Sequence, residues 1–204
     1  MKIALIGGTS LSNTLGKKYM DIGLSVVFGV GTDFDTDSPD WKVINRCFNK
    51  ICPYESAMIQ AEIILFCCPN EEFNEALKAL KKVDLLDKIL VDCTNNQYQD
   101  KLKCSNVNRI MKAAPGIPVF KAFNNLGIDY PLSDSLGVIK EVYFCGENVP
   151  EKIRVKRLIE LIGFKAIDAG QLENATLLEA FYHLGKQISG LGADSNYQFK
   201  LVSL

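Results

Sequence analysis

The sequence predicts an α/β fold in which a doubly wound, mostly parallel sheet carries a small C-terminal α/β extension. Three observations lead there. The apolar run Lys2-Ile3-Ala4-Leu5-Ile6 passes straight into Gly7-Gly8 and a helix, as a buried parallel strand enters a tight turn. Apolar runs and turn residues then alternate in a strand, helix, strand rhythm through the first two thirds of the chain. At 204 residues with 48% hydrophobic content, the chain can bury both faces of such a sheet. The expected organisation is one unit over residues 1–145, with residues 146–204 as an extension packed on it.

Each element has a local cause. Residues 14–22 read as a helix that Gly23 ends, and Ser25-Val26-Val27-Phe28-Gly29-Val30 is the second strand. An acidic loop over 32–40 follows, and residues 41–47 read as a short third strand. Residues 53–62 suit a helix with Pro53 in its first turn, where the missing N–H costs nothing. It feeds the apolar strand Ile63-Ile64-Leu65-Phe66-Cys67-Cys68, which Pro69 stops. Asn70 reads as the N-cap of a helix over 71–82, with Phe73, Leu77 and Leu80 on one face. A fifth strand covers 88–93, and a polar stretch with one helix fills 94–118. Strands over 119–123 and 138–145, a helix over 150–162, the strand Ala166-Ile167-Asp168 and a long helix over 172–188 complete the core. Gly190-Leu191-Gly192 separates that helix from a tail over 197–204.

Composition excludes several functions. Lys plus Arg number 23 against 24 Asp plus Glu, a net charge of -1, so nothing electrostatic favours nucleic acid or an anionic membrane. No apolar run reaches the roughly 18 residues of a membrane span, and the N-terminus reads as the first strand rather than a leader, so the expected location is cytoplasmic. The seven cysteines (Cys47, Cys52, Cys67, Cys68, Cys93, Cys104 and Cys145) are odd in number and mostly strand-borne, which predicts reduced, buried thiols. Cys67 and Cys68 point to opposite faces of one strand, and the single histidine, His183, is distant in sequence, so no metal site is expected.

In an open parallel sheet, ligands lie beyond the carboxyl ends of the strands at the point where strand order reverses. The residues that follow those ends are mostly small, polar and uncharged: Gly7, Gly8, Thr9, Ser10, Leu11 and Ser12; Gly31, Thr32 and Asp33; Cys67, Cys68, Pro69 and Asn70; Thr94 and Asn95. They hold no Ser-His-Asp set and no paired carboxylates, but suit hydride transfer, in which a cofactor carries the reactivity and the protein aligns two rings. A glycine turn at a helix N-terminus is a pyrophosphate site, which makes the expected fold Rossmann-type. Of the G-x-G-x-x-G fingerprint only Gly7 is present, with Thr9 and Ser12 in the places of the second and third glycines. Their hydroxyls, with Ser10, offer a substitute hold on phosphate. Asp33, 21 residues past Ser12, can bond the ribose hydroxyls of NAD, or belong to the solvated run of Asp35, Asp37 and Asp40. His183 reads as a packing or surface residue, and Lys121 as a charge that reaches an edge or a cleft.

Taken in order, these segments resemble the family of NADP oxidoreductases dependent on the deazaflavin coenzyme F-420. The resemblance lies in Ile3-Ala4-Leu5-Ile6-Gly7-Gly8-Thr9, Val26-Val27-Phe28-Gly29-Val30, Val91-Asp92-Cys93-Thr94-Asn95 and Lys121-Ala122-Phe123-Asn124. It continues through Gly163-Phe164, Asp168-Ala169-Gly170-Gln171-Leu172-Glu173-Asn174-Ala175, and a tail with Gly190-Leu191-Gly192 and Phe199-Lys200-Leu201. It implies a homodimer with pyrophosphate at residues 7–12, adenosine at 31–33, nicotinamide at 67–70 with Thr94 and Asn95, and a second substrate near Phe123, Asn124, Gly170, Gln171 and Leu172. Where the family places an Arg after the second strand to bind the extra phosphate of NADP, this chain has Gly31. The resemblance thus implies NADP, while Gly31 and Asp33 favour NAD. The expected function is hydride transfer between a nicotinamide dinucleotide and a small flavin-like or deazaflavin acceptor. The alternative is a catalytically degenerate dinucleotide-binding protein that senses or scaffolds.

Overall fold

The computed structural model describes residues 1–48, 50–97, 105–134, 136–190 and 199. Eight strands form one sheet in the order β3-β2-β1-β4-β5-β6-β7-β8. They are β1 Lys2–Ile6, β2 Ser25–Val30, β3 Ile51–Pro53, β4 Ile63–Phe66, β5 Ile89–Asp92, β6 Val119–Ala122, β7 Glu141–Gly146 and β8 Lys165–Asp168. The helices are α1 Ser10–Asp21, α2 Lys42–Phe48, α3 Tyr54–Gln60, α4 Asn70–Leu80, α5 Asn106–Ala113, α6 Pro150–Leu161 and α7 Ala175–Gly190. The α/β, doubly wound, mostly parallel fold is as the sequence predicts.

Strand order reverses between β1 and β4, which pair in parallel through Ile3 with Ile63 and Ile6 with Phe66. Successive residues of each strand feed opposite layers. Ile3 and Leu5 of β1 pack on one face with Leu11, Leu15 and Val155, and Ala4 and Ile6 pack on the other with Ala57, Phe73 and Ala76. Tyr19 of α1 donates from its hydroxyl to the Leu158 carbonyl of α6 at 3.2 Å, which ties the helices of one layer together.

β7 pairs antiparallel to β6, and β8 pairs parallel to β7. The chain leaving β8 therefore emerges at the amino ends of β1, β4, β5 and β6, and α7 returns toward their carboxyl ends.

Four local expectations differ. Residues 42–48 form helix α2, and the third strand comes later, at β3. Trp41 and Ile44 are buried while Val43 is 59% exposed, a spacing of three that winds a helix around one buried side. Helix α1 starts at Ser10, because Thr9 caps it in a reciprocal box with Ser12. Pro69, not Asn70, is the N-cap of α4. Helix α7 includes Gly190 and is preceded by a 3-10 turn over Leu172–Asn174. Cys104, Leu191, Gly192, Lys200 and Leu201 lie outside the described residues.

Cys67, Cys68, Cys93 and Cys145 are buried free thiols, with Cys67 and Cys68 in opposite layers. Among the described residues, no helix is long and apolar enough to cross a membrane.

Candidate functional site

The glycine turn sits at the reversal point and is held from below. Gly7 has φ of 118°, and a Cβ there would lie 2.6 Å from the Cys68 backbone nitrogen, so only glycine lets the turn cross the end of β4. Thr9 donates from its hydroxyl to the Cys67 carbonyl at 2.9 Å. The Ser12 side chain is buried, with its hydroxyl 2.6 Å from the Gly7 carbonyl and 2.8 Å from that of Thr9. The hydroxyls of Thr9 and Ser12, expected to reach for phosphate, are thus turned inward to close the turn on itself. Close helix-to-strand packing, ordinarily served by the third glycine, falls to Gly16, where a Cβ would run into the Phe28 ring of β2 and come within 3.0 Å of Leu5.

Two contacts cover the turn from above. The Leu11 amide donates to the Ile128 carbonyl at 3.0 Å, so one N–H at the start of α1 is taken by the segment that follows β6. The Phe34 ring lies on Gly8, where an added Cβ would fall 2.5 Å from Phe34 Cδ2. Trp41 backs that ring edge-on at 5.3 Å.

Cavities open on both sides. One of about 510 Å³ is bounded by Gly8, Ser10, Asn13, Lys17, Phe34 and Trp41. The other, about 230 Å³, is bounded by Cys68, Pro69, Asn70, Thr94, Asn95 and Asn96 at the ends of β4 and β5, with Ile128, Tyr182 and His183 closing it. Amides rigidify this second cavity. Asn70 donates to the Asn95 carbonyl at 2.8 Å, Asn106 donates to Thr94 Oγ1 at 2.9 Å and to Asn70 at 3.0 Å, and Asn95 donates to the Asn124 carbonyl at 2.8 Å. Asn70 is the first residue of α4, and its side-chain oxygen, the atom that would cap, accepts from Asn106 instead. Burial, first of all, pushes the Cys68 thiol well above its ordinary range, so it is a neutral wall at neutral pH.

Beneath this cavity lies a buried ionic cluster. Lys121 of β6 donates to Asp92 Oδ2 at 2.7 Å, to the Thr94 carbonyl at 2.6 Å and to Glu179 Oε1 of α7 at 2.5 Å. Lys121 and Asp92 are fully buried and Glu179 is 2% exposed. Lys121 therefore reaches neither edge nor cleft, because two carboxylates distant in sequence meet it inside. Among the described residues, the other groups bonded to those carboxylates are donors: Thr94 N–H and hydroxyl on Asp92, Asn96 N–H and the Ser105 hydroxyl on Glu179. Burial raises the Asp92 carboxyl above its ordinary range, with Lys121 opposing and Glu179 reinforcing the effect. Burial also works against the Lys121 charge, but the two carboxylates outweigh it and its pKa is raised.

The sequence-derived residues fall into separate places. Gly8 and Ser10 border the larger cavity; Cys68, Pro69, Asn70, Thr94 and Asn95 border the smaller. Gly31 follows β2, with Tyr54 Oη 3.6 Å and Glu75 Oε2 3.7 Å from where its Cβ would sit, and Thr32 and Asp33 are exposed beyond it. Cys67 and Phe123 are core residues, and Asn124 is buried, donating to Asn95 at 3.0 Å and to the Leu178 carbonyl at 3.1 Å. Gly170, Gln171 and Leu172 lie past β8, at the amino ends of the parallel strands, and Leu172 borders a different cavity with Val119 and Phe120. The reversed direction of β7 and β8 separates them from the carboxyl edge. Sequence reasoning did not find Tyr182, His183 and Glu179. The available signal was a glutamate inside a largely apolar helix, the complement of a lysine inside an apolar strand.

Comparison with known proteins bears on the fold and on its first half in particular. Residues 2–96 match the family model described as NADP oxidoreductase coenzyme F420-dependent. Among curated proteins, Metalloreductase STEAP3 of Rattus norvegicus is 24% identical over 181 residues, 88% of this chain and 36% of that protein. Metalloreductase STEAP2 of Homo sapiens is 24% identical over 180 residues, 87% of this chain and 35% of that protein. The chain thus spans about a third of the length of the curated relatives it matches. A crystal structure from Arthrobacter sp. fb24, provisionally described as an F420 dependent NADP-reductase, superposes with a TM-score of 0.80 at 21% identity, covering 100% of both chains. An imine reductase of Streptomyces aurantiacus superposes at 0.62 with 12% identity, over 93% of this chain and 62% of that one. At these identities the structures establish the fold. The resemblance read from the sequence is thus met by a family-model match over the β1 to β5 part of this chain, residues 2–96.

Proposed function

We propose that this protein is an oxidoreductase that passes a hydride between a nicotinamide dinucleotide and a flavin-like or deazaflavin acceptor. The observation that carries this reading is the pair of cavities flanking the glycine turn at the strand-order reversal. The residues beside the turn and after β2, β4 and β5 suit the two halves of a dinucleotide. Gly31 leaves room at the adenosine end, since an added Cβ would meet nothing closer than 3.6 Å. The Tyr54 phenol and Glu75 carboxylate beside it suit ribose hydroxyls better than a 2′-phosphate, which favours NAD at this position although the family is NADP-dependent. Residues 7–12 would hold the pyrophosphate once Phe34 moves off Gly8 and the Leu11 amide is released. Asn70, Thr94 and Asn95 would orient the nicotinamide, which when bound supplies the hydride.

The division into residues 1–145 and 146–204, a cytoplasmic location and a homodimer belong to the same reading, and sedimentation tests the last. A second reading, a degenerate dinucleotide-binding protein that senses or scaffolds, draws its support from the Ile128 carbonyl on Leu11 and the Phe34 ring on Gly8.

Thermal-shift titration with NADPH, NADH and ADP-ribose separates them, followed by addition of a flavin. Ligand at a hundred times its dissociation constant stabilises by about 2.7 kcal/mol. That corresponds to a rise of roughly 5–10 °C for a chain of this size. Stabilisation followed by dinucleotide oxidation supports the enzyme; stabilisation without oxidation supports the second reading. No shift with any of the three at millimolar concentration would overturn both.

A further inference from the structure

We infer that His183 is the catalytic acid that protonates the hydride acceptor, held in place by the buried Glu179 one helical turn before it. This rests on the reading of the smaller cavity as the nicotinamide and acceptor site.

His183 lines that cavity together with Asn70 and Thr94. Its position is fixed from below. Residues four apart on a helix are neighbours on one face. Glu179 accepts from Asn96 N–H, Ser105 and Lys121, while the preceding Leu178 carbonyl accepts from Asn124 at 3.1 Å. These bonds pin α7 against the ends of β5 and β6 and present its next turn to the cavity. A helix otherwise remote in sequence from the glycine turn thereby delivers the chain's only histidine to the carboxyl edge.

The chemistry requires such a group. The C4–H bond of the dihydronicotinamide breaks, and hydrogen leaves with its electron pair to form a bond to the acceptor. The nicotinamide is oxidised to its cation, and the acceptor, reduced by two electrons, gains a negative charge. An imidazolium N–H bond then breaks, its proton bonds to an acceptor heteroatom, and the neutral imidazole recovers a proton from solvent.

Among the described residues, the other ionisable groups around the cavity are unsuited to this exchange near neutrality. Burial, with Asp129 adding to it, pushes the Tyr182 phenol up to about 12, and burial pushes the Cys68 thiol up further. Asp92 and Glu179 are committed to Lys121, and Asp129 pairs with Lys186 at 3.6 Å. Imidazole is the side chain whose ordinary titration falls between pH 5 and 8.

Because the chain has one histidine, its imidazole Cε1–H proton resonance needs no variant for assignment. The resonance is followed from pH 5 to 9 in the wild-type protein, free and with saturating NADP⁺, with binding established independently by thermal shift. The expected result is a displaced resonance and midpoint on binding. With NADPH and FMN as the probe pair, wild-type kcat should fall as pH rises through that midpoint. His183→Gln should lose the pH dependence and lower kcat by about a hundredfold, the usual scale of general acid catalysis, with the dinucleotide dissociation constant unchanged within about twofold. If NADP⁺ binds and the resonance stays put, or if His183→Gln retains the wild-type pH profile, the assignment of His183 is wrong. If no dinucleotide binds, the functional reading itself fails.

Discussion

Replacing Lys121 with methionine isolates what the buried cluster contributes to stability. Methionine fills a similar volume but supplies none of the three donated bonds, leaving Asp92, Glu179 and the Thr94 carbonyl without their shared partner. Breaking a buried ion pair by removing one partner costs about 3–5 kcal/mol, because the remaining charge stays desolvated. With all three groups at most 2% exposed, the expected loss at pH 7 is about 4 kcal/mol. That is a large share of the roughly 5–15 kcal/mol that holds a domain folded.

The effect has a sign in pH. Burial already places the folded-state pKa of Asp92 above its unfolded value, and losing the ammonium raises it further. Between the two values the folded state binds more protons than the unfolded, so stability falls as pH rises through that window. The variant widens the window, and its deficit should shrink by at least half from pH 7 to about pH 4.5 as the carboxylates take up protons. Urea unfolding followed by fluorescence of Trp41, the single tryptophan, measures both. A deficit under about 1 kcal/mol at pH 7, or one that does not change with pH, would refute the claim that both carboxylates are charged around Lys121.

Gly7→Ala should destabilise the fold by about 3 kcal/mol or more, because the methyl group meets the Cys68 backbone while φ sits in the left-handed region; a melting temperature within about 2 °C of wild type would contradict this. Gly31→Arg should fold normally, since its Cβ meets only Tyr54 and Glu75 at ordinary contact. Its gain in NADPH over NADH affinity should be small, about threefold, because the guanidinium has Glu75 as a competing partner, and should grow to about tenfold when Glu75→Gln is added. Calorimetric titration of the single and double variants decides whether Gly31 marks the adenosine end.

The sheet was legible because β1, β2, β4, β5 and β6 are apolar runs buried on both faces, a pattern that identifies parallel strands without further context. The short elements were less so. Trp41 and Ile44 satisfy a helix and Trp41 and Val43 a strand, and only the exposure of Val43 decides between them. Strand direction was not encoded locally at all. Nothing in residues 138–145 says that β7 runs against β6, yet that reversal moves Gly170, Gln171 and Leu172 to the far edge and brings Glu179 and His183 to the near one. Most small polar residues after β4 and β5 were recognisable as cavity lining from topology alone. The inward hydrogen bonds of Thr9 and Ser12 were not, since a hydroxyl in a turn has the same sequence signature whether it faces a ligand or a carbonyl.

The edge-on contact between Phe34 and Trp41 makes the glycine turn optically visible. Trp41 is the sole source of indole emission and is only 4% exposed, so the folded protein should emit as a buried indole. A molecule seated on the side of Gly8 that the Phe34 ring covers would lift that ring and so alter the surroundings of Trp41. Intrinsic fluorescence should then report occupancy of the turn without a label, a substrate or turnover.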